Sequence, residues 1–301
     1  MSARQVWITD VGPRDGLQNQ AGQVATAGKI GLIEALARAG VRSIEGTSFV
    51  SPKAVPQMAD AAEVMAGVRD LEGVEISALV PNSRGLERAA AAGSRCVAVV
   101  LSATDTMNRR NINMSLEEAL EESLQVIAAA NARSLRVRAY LAVAVECPFE
   151  GRVPVQAVQR LAAALAGAGA SEIVVADTIG AAAPTDITRL IGALAADIAL
   201  DKLALHLHDT RGMGVANAWA GLEAGVRRFD ASIGGLGGCP FAPGASGNVA
   251  TEDLALLCRQ TGYDTGIDLE RLVEAGRYVE SLLGRAQGGG STTWLRRGEA
   301  A

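Results

Sequence analysis

Short apolar runs recur along the chain at Val6–Val11, Ser43–Ser48, Glu75–Val80, Cys96–Ser102, Val137–Val145, Glu172–Asp177, Leu203–His208 and Phe229–Ile233. Their aliphatic, β-branched character predicts strands, most of them buried on both faces. Between them lie Ala- and Leu-rich stretches at helical spacing, clearest at Ala25–Ala39, Ser115–Ala130, Val155–Ala168 and Pro184–Ala196. Two junctions, Ala39-Gly40-Val41 and Ala92-Gly93-Ser94, place glycine where a helix hands over to a strand. Strands alternating with helices predict an α/β fold with a parallel sheet. Eight such units close a (β/α)₈ TIM barrel; a doubly wound open sheet is the alternative arrangement of the same pattern. Asp268–Leu283 predicts an additional C-terminal helix. Residues 1–285 therefore read as a single barrel domain with a helical extension, and Gly288-Gly289-Gly290-Ser291 marks 286–301 as a flexible tail.

In such a barrel the chemistry gathers at the C-terminal ends of the strands. The two histidines of the chain, His206 and His208, stand there in Leu205-His206-Leu207-His208-Asp209. Residues i and i+2 of a strand share a face, so both imidazoles project together and begin a metal site. Asp15, in Gly12-Pro13-Arg14-Asp15-Gly16, can supply a hard oxygen ligand, and Arg14 a permanent cation. Glu45 lies inside a strand expected to be buried, where a carboxylate needs a partner, and Arg14 is the nearest by topology. The pair is either structural or a device that aims the guanidinium at a developing oxyanion. A Gly-rich loop runs from Gly234 to Asn248. It carries Cys239, a thiol able to exchange a proton, and ends at Asn248, an N-cap or an oxygen ligand for the ion. Two histidines, an aspartate and an amide oxygen make a mixed N/O set suited to Mg²⁺ or Mn²⁺.

Composition narrows the partners. The 301 residues are 49% hydrophobic and carry a net charge of −5, ample for one large core and without a basic footprint for nucleic acid. No apolar run suits a bilayer, so no membrane partner is expected. The four cysteines form no CxxC pair, and Met1-Ser2-Ala3-Arg4-Gln5 is not the start of a secretory signal. A reducing, cytoplasmic setting is the expectation.

The segments Val11-Gly12-Pro13-Arg14-Asp15-Gly16-Leu17-Gln18-Asn19, Thr47-Ser48-Phe49-Val50-Ser51-Pro52-Lys53, Asp177-Thr178-Ile179-Gly180, His206-Leu207-His208-Asp209-Thr210 and Cys239 through Asn248 together resemble the 3-hydroxy-3-methylglutaryl-CoA lyase family, metallolyase barrels with an Asp-Arg-Glu site. The resemblance runs from about residue 6 to about 285. It implies that Asp15, His206, His208 and Asn248 ligate a divalent metal, that Arg14 and Glu45 complete the Asp-Arg-Glu set, and that Cys239 is the catalytic thiol. The implied reaction is a retro-Claisen cleavage of an acyl-CoA, with Arg14 stabilising the acetyl-CoA enolate and Arg14 and Thr178 among the substrate contacts. It also implies a homodimer. Arg109 and Arg110 are candidates for the phosphates of coenzyme A, or a solvated charge pair. The sequence departs from the family pattern at Thr104-Asp105, Ala142 to Glu146 and Arg211 to Met213, which leaves the metal set intact and alters the loops around it; Arg211 and Glu146 either reshape the pocket or pair on the surface. Competing readings are the same chemistry on another branched 3-hydroxyacyl-CoA, an aldolase or acyl-CoA condensing enzyme, and a non-catalytic barrel that binds a CoA ester.

Overall fold

The computed structural model describes residues 4–238 and 247–297. Eight parallel strands alternate with helices: β1 Trp7–Asp10, β2 Ser43–Ser48, β3 Glu75–Leu79, β4 Cys96–Ser102, β5 Arg136–Ala142, β6 Glu172–Asp177, β7 Leu203–Leu207 and β8 Arg228–Ala231. Each pairs with its sequence neighbour and β8 pairs with β1, so the sheet is a closed barrel and the open-sheet alternative is excluded. The helices α1 Thr26–Arg38, α2 Ala61–Gly67, α3 Ser83–Ala91, α4 Asp105–Ile112, α5 Leu116–Asn131, α6 Val155–Gly167, α7 Pro184–Leu194, α8 Gly214–Glu223, α9 Thr251–Gln260 and α10 Leu269–Leu283 surround it. Their apolar faces and the outward residues of the strands form the main core, while Leu79, Ala98, Tyr140, Val174 and Ala204 fill a smaller cluster inside the barrel. No helix among the described residues is long and apolar enough to cross a membrane.

Strand ends differ from the sequence reading where side chains or turns take over the ladder. The fifth strand stops at Ala142 because Val143 turns to φ 51° and gives its N–H to Thr178 Oγ1 at 2.8 Å. The last strand stops at Ala231, where the chain tightens into a helical turn over Ile233–Gly235. A two-stranded antiparallel ribbon, Glu146–Cys147 with Gly151–Arg152, was not anticipated; each arm is too short to leave a periodic signal.

Residues 288–297, expected to be loose, dock against the barrel. The Asp253 carboxylate on α9 accepts from the N–H groups of Gly290 and Ser291 and from the Ser291 hydroxyl. Gly288 donates to the Gly234 carbonyl at 3.1 Å, and Arg296 pairs with Glu280 at 3.0 Å. Gly290, one of the glycines that suggest looseness, supplies one of the backbone N–H groups this carboxylate accepts from.

The turn at Gly234 is tied down by a proton-linked contact. Gly234 N–H lies 3.1 and 3.0 Å from the two carboxyl oxygens of buried Glu252. Burial pushes Glu252 up to about 8 despite that donor, and buried Asp10 up to about 7. An unfolded glutamate gives up its proton near ~4.3, so the folded chain binds more protons above that pH and its unfolding free energy falls as pH rises toward ~8. Glu252→Gln is expected to flatten this slope in urea-unfolding titrations between pH ~5 and ~8. An unchanged slope would assign the effect to Asp10.

Candidate active site at the barrel mouth

The first strand ends in a wide five-residue turn, Gly12–Gly16, whose N–H groups at Arg14, Asp15 and Gly16 all converge on the Val11 carbonyl. This compact turn throws Arg14 and Asp15 into the barrel mouth. Arg14 is buried; its Nη1 donates to Asp15 Oδ1 at 2.8 Å and its Nη2 to Glu45 Oε2 at 2.9 Å. Glu45 is fully buried on β2, next to a register slip between Glu45 and Thr47 that re-aims the strand. Burial opposes ionisation of Asp15, but Arg14 and the two histidines outweigh it and hold the carboxyl below its ordinary range.

His206 and His208 close β7 with their Nε2 atoms 3.2 Å apart. Burial, and then His206, bring His208 down to about 4, so it stays neutral and keeps a lone pair to offer at neutral pH. Beside them, residues 247–251 run between the ends of β7 and β8: Asp209 N–H donates to Gly247, Val249 N–H to Leu207, Ser232 N–H to Val249 and Thr251 N–H to Ser232. That zipper sets Asn248 opposite His208. Asn248 is no N-cap; its Nδ2 donates to Asp15 Oδ2 at 2.8 Å and to the Leu236 carbonyl at 2.9 Å. Close approach requires Gly237, where a Cβ would stand 2.4 Å from Asn248 Nδ2 and 3.3 Å from Asp15 Oδ2.

Asp15, His206 and His208 offer ligand atoms that all lie within 4.8 Å of one another. A buried acceptor in the same place, Asn248 Oδ1, has no hydrogen-bond partner among the described residues. An orphaned buried acceptor is costly unless something fills the position, and a cation facing Asn248 Oδ1 would do so. The mixed N/O donors fit a hard or borderline divalent ion.

Beneath this layer lies a network the sequence reading missed. Arg138 on β5 donates through Nη2 to Asp230 Oδ1 at 2.6 Å, through Nε to Glu172 Oε1 at 2.7 Å and through Nη1 to the Tyr140 hydroxyl at 2.8 Å. The Tyr140 hydroxyl has one proton to give and lies 2.7 Å from Asp230 Oδ2 and 3.2 Å from Glu45 Oε2. Asp230 Oδ2 is also 3.1 Å from His206 Nδ1. Burial opposes the charge on Asp230, yet Arg138 and His206 hold its pKa far below the ordinary carboxylate value. The test that singled out Glu45, an ionisable residue inside a buried strand, would have found Arg138, Glu172 and Asp230 as well.

A cavity of about 630 Å³ opens over the site, lined by Arg14, Asp15, His206 and His208 on one side and by Val50, Leu79, Val100, Ala142 and Ala176 on the other. Thr178 and Arg110 also line it; Arg110 stacks over the Phe149 ring at 4.2 Å. Arg109 does not line it. That side chain is 61% exposed and pairs with Asp105 at 2.5 Å one helical turn back, outside the cavity. Arg211 and Glu146 face each other at 3.7 Å on the surface, not in the cavity. Cys239 lies outside the described residues, which resume at Gly247.

Residues 5–279 match the protein family described as HMGL-like. Hydroxymethylglutaryl-CoA lyase of Pseudomonas mevalonii is 47% identical over 281 residues, covering 93% of each chain. The crystal structure of hydroxymethylglutaryl-CoA lyase from Pseudomonas aeruginosa superimposes with a TM-score of 0.95 at 42% identity, covering 98% of both chains. That of an HMG-CoA lyase from Acinetobacter baumannii, in complex with coenzyme A and 3-methylmalate, gives 0.93 at 37% identity over 97% of this chain and 96% of that one.

Proposed function

From the chain's place in the HMGL-like family, to which it belongs, we propose that it is a metal-dependent carbon–carbon lyase that cleaves 3-hydroxy-3-methylglutaryl-CoA to acetyl-CoA and acetoacetate. The observation that carries this reading is the convergence of Asp15, His206, His208 and the unpartnered Asn248 Oδ1 beside an Arg14 clamped by Glu45. Those four residues would hold the ion, which we take to be Mg²⁺ or Mn²⁺. When bound it polarises the oxygens of the substrate.

The remaining chemistry is assigned to side chains. The C3 hydroxyl gives its proton to the Asp15 carboxylate as the C2–C3 bond opens. The bonding pair moves to C2 and the thioester, leaving acetoacetate and the enolate of acetyl-CoA. Arg14 faces the enolate oxygen with donors that Glu45 and Asp15 have already oriented, so little reorganisation is needed as charge develops. Cys239 returns a proton to C2. Thr178 and Arg110, in the cavity wall, contact the acyl-CoA. A homodimeric, cytoplasmic protein without nucleic-acid or membrane partners completes the proposal; the net charge of −5 speaks against a nucleic-acid partner, and the free, buried Cys96, Cys147 and Cys258 suit a reducing compartment.

The experiment is turnover of 3-hydroxy-3-methylglutaryl-CoA by Mn²⁺-loaded protein, following acetoacetate, with a chelated control and a Cys239→Ser arm. Rapid release abolished by the chelator is expected. A loss of roughly a hundredfold in the Cys239→Ser arm is the scale of one proton-transfer group. Protein that binds Mn²⁺ and releases no acetoacetate would overturn the reading. Full turnover by Cys239→Ser would remove only the thiol.

A further inference from the structure

We propose that Asp230 is a positioning residue that fixes the tautomer of His206, keeping the proton on Nδ1 and the Nε2 lone pair turned into the metal site. The inference rests on the metal-site reading above, and concerns an atom that reading does not use.

The carboxylate of Asp230 is fully buried and has three neighbours with distinct demands. Arg138 Nη2, at Oδ1, can only donate. Tyr140 and His206 Nδ1 share Oδ2 at 2.7 and 3.1 Å. An ionised carboxylate only accepts, so the contact with His206 is a hydrogen bond only when Nδ1 carries hydrogen. The other nitrogen, Nε2, is then bare and faces His208 Nε2 at 3.2 Å, in the group of ligand atoms that includes Asp15. Edge-on packing of the His206 ring against Tyr140, with centroids 5.9 Å apart and planes at 79°, resists the ring flip that would carry Nδ1 away from Asp230. Arg138 is in turn held by Glu172, so orientation passes from the floor of the barrel to its mouth through Glu172, Arg138, Asp230 and His206. A buried carboxylate behind a ligating imidazole is the recurrent way proteins set its tautomer and basicity.

Asp230→Asn tests this with almost no change of shape. Because Arg138 only donates, the amide oxygen must remain on its side, which puts the NH₂ group toward Tyr140 and His206 Nδ1. His206 can then satisfy the new donor only as an acceptor, so its proton moves to Nε2 and closes that lone pair to metal. The chain has two histidines, so their imidazole ¹⁵N resonances are readily separated. In metal-free wild-type protein near pH ~8, where ordinary histidines are neutral, His206 is expected as the Nδ1–H form. In Asp230→Asn it is expected as the Nε2–H form, with the dissociation constant for Mn²⁺ raised roughly 10–100-fold.

Wild-type protein with the proton on Nε2 would overturn the proposal without any variant. So would Asp230→Asn that keeps Nδ1–H and binds Mn²⁺ as tightly as wild type. The wild-type measurement decides even where the variant fails to fold. Protein that shows Nδ1–H and binds Mn²⁺ yet cleaves nothing would sink the lyase reading and leave this one standing.

Discussion

Arg14→Met saturated with Mn²⁺ is expected to have a kcat for 3-hydroxy-3-methylglutaryl-CoA lower by about a thousandfold. The guanidinium is not among the ligand atoms; it sits beside them, bonded to Asp15 Oδ1 and Glu45 Oε2. A loss of that size is ~4 kcal/mol of transition-state stabilisation, the scale of one preorganised donor in a site that excludes water. Methionine follows the alkyl stem and deletes the charge, which leaves fully buried Glu45 with only the Tyr140 hydroxyl. Some stability is lost with it, so kcat must be read on folded protein below its melting temperature. Arg14→Met combined with Glu45→Gln separates the effects: removing the stranded charge restores stability and leaves kcat low. A fall in kcat of less than ~tenfold would make Arg14 a structural counter-ion and return the enolate to other groups. Arg14→Lys is expected to fall between, since an ammonium cannot hold both carboxylates in the fork that orients it.

The barrel was legible because its strands are short, aliphatic and regularly spaced, and because position on a closed parallel sheet dictates where chemistry can lie. Asp15, His206 and His208 emerged from that rule: strand ends distant in sequence meet at one mouth. Where the reading fell short, the cause was local. Arg109 and Arg110 look alike in sequence, but neighbours on a helix point about 100° apart, so one reaches the cavity and its neighbour meets Asp105 in solvent. Asn248 reads by position as an N-cap or an oxygen ligand, and position alone does not choose; backbone bonds from residues 247–251 to the ends of β7 and β8 turn its side chain inward. The docked segment after α10 was hidden because its partners, Asp253 and Glu280, are ordinary helix-surface acids until a chain returns to meet them. Arg138, Glu172 and Asp230 were overlooked for a different reason. Arg138 and Glu172 stand in register on the adjacent strands β5 and β6, and only closure of the barrel brings Asp230 of β8 to them.

That closure makes Arg138→Met the most damaging single change expected for the fold. Arg138 is the cation shared by two buried carboxylates, at 2.6 Å from Asp230 and 2.7 Å from Glu172. Glu172 retains a second partner in Arg228 at 3.4 Å, whereas Asp230 keeps only neutral donors and His206. Breaking a buried ion pair from one side costs about 3–5 kcal/mol because the remaining charge stays desolvated. The pH dependence should change sign as well. In wild-type protein Arg138 depresses Asp230, so the stability this carboxylate contributes is present above the unfolded value near ~3.9 and is lost as pH falls below it. Without Arg138, burial acts on Asp230 with much less opposition and its pKa rises. The folded variant then takes up a proton more readily than the unfolded chain, so its deficit against wild type shrinks as pH falls from ~7 toward ~5. Urea unfolding of both proteins at the two pH values measures this. A deficit below about 1 kcal/mol at pH ~7 would place the network among ion pairs that break even against their own desolvation. A deficit that grows on acidification would mean that Asp230 is not the charge left stranded.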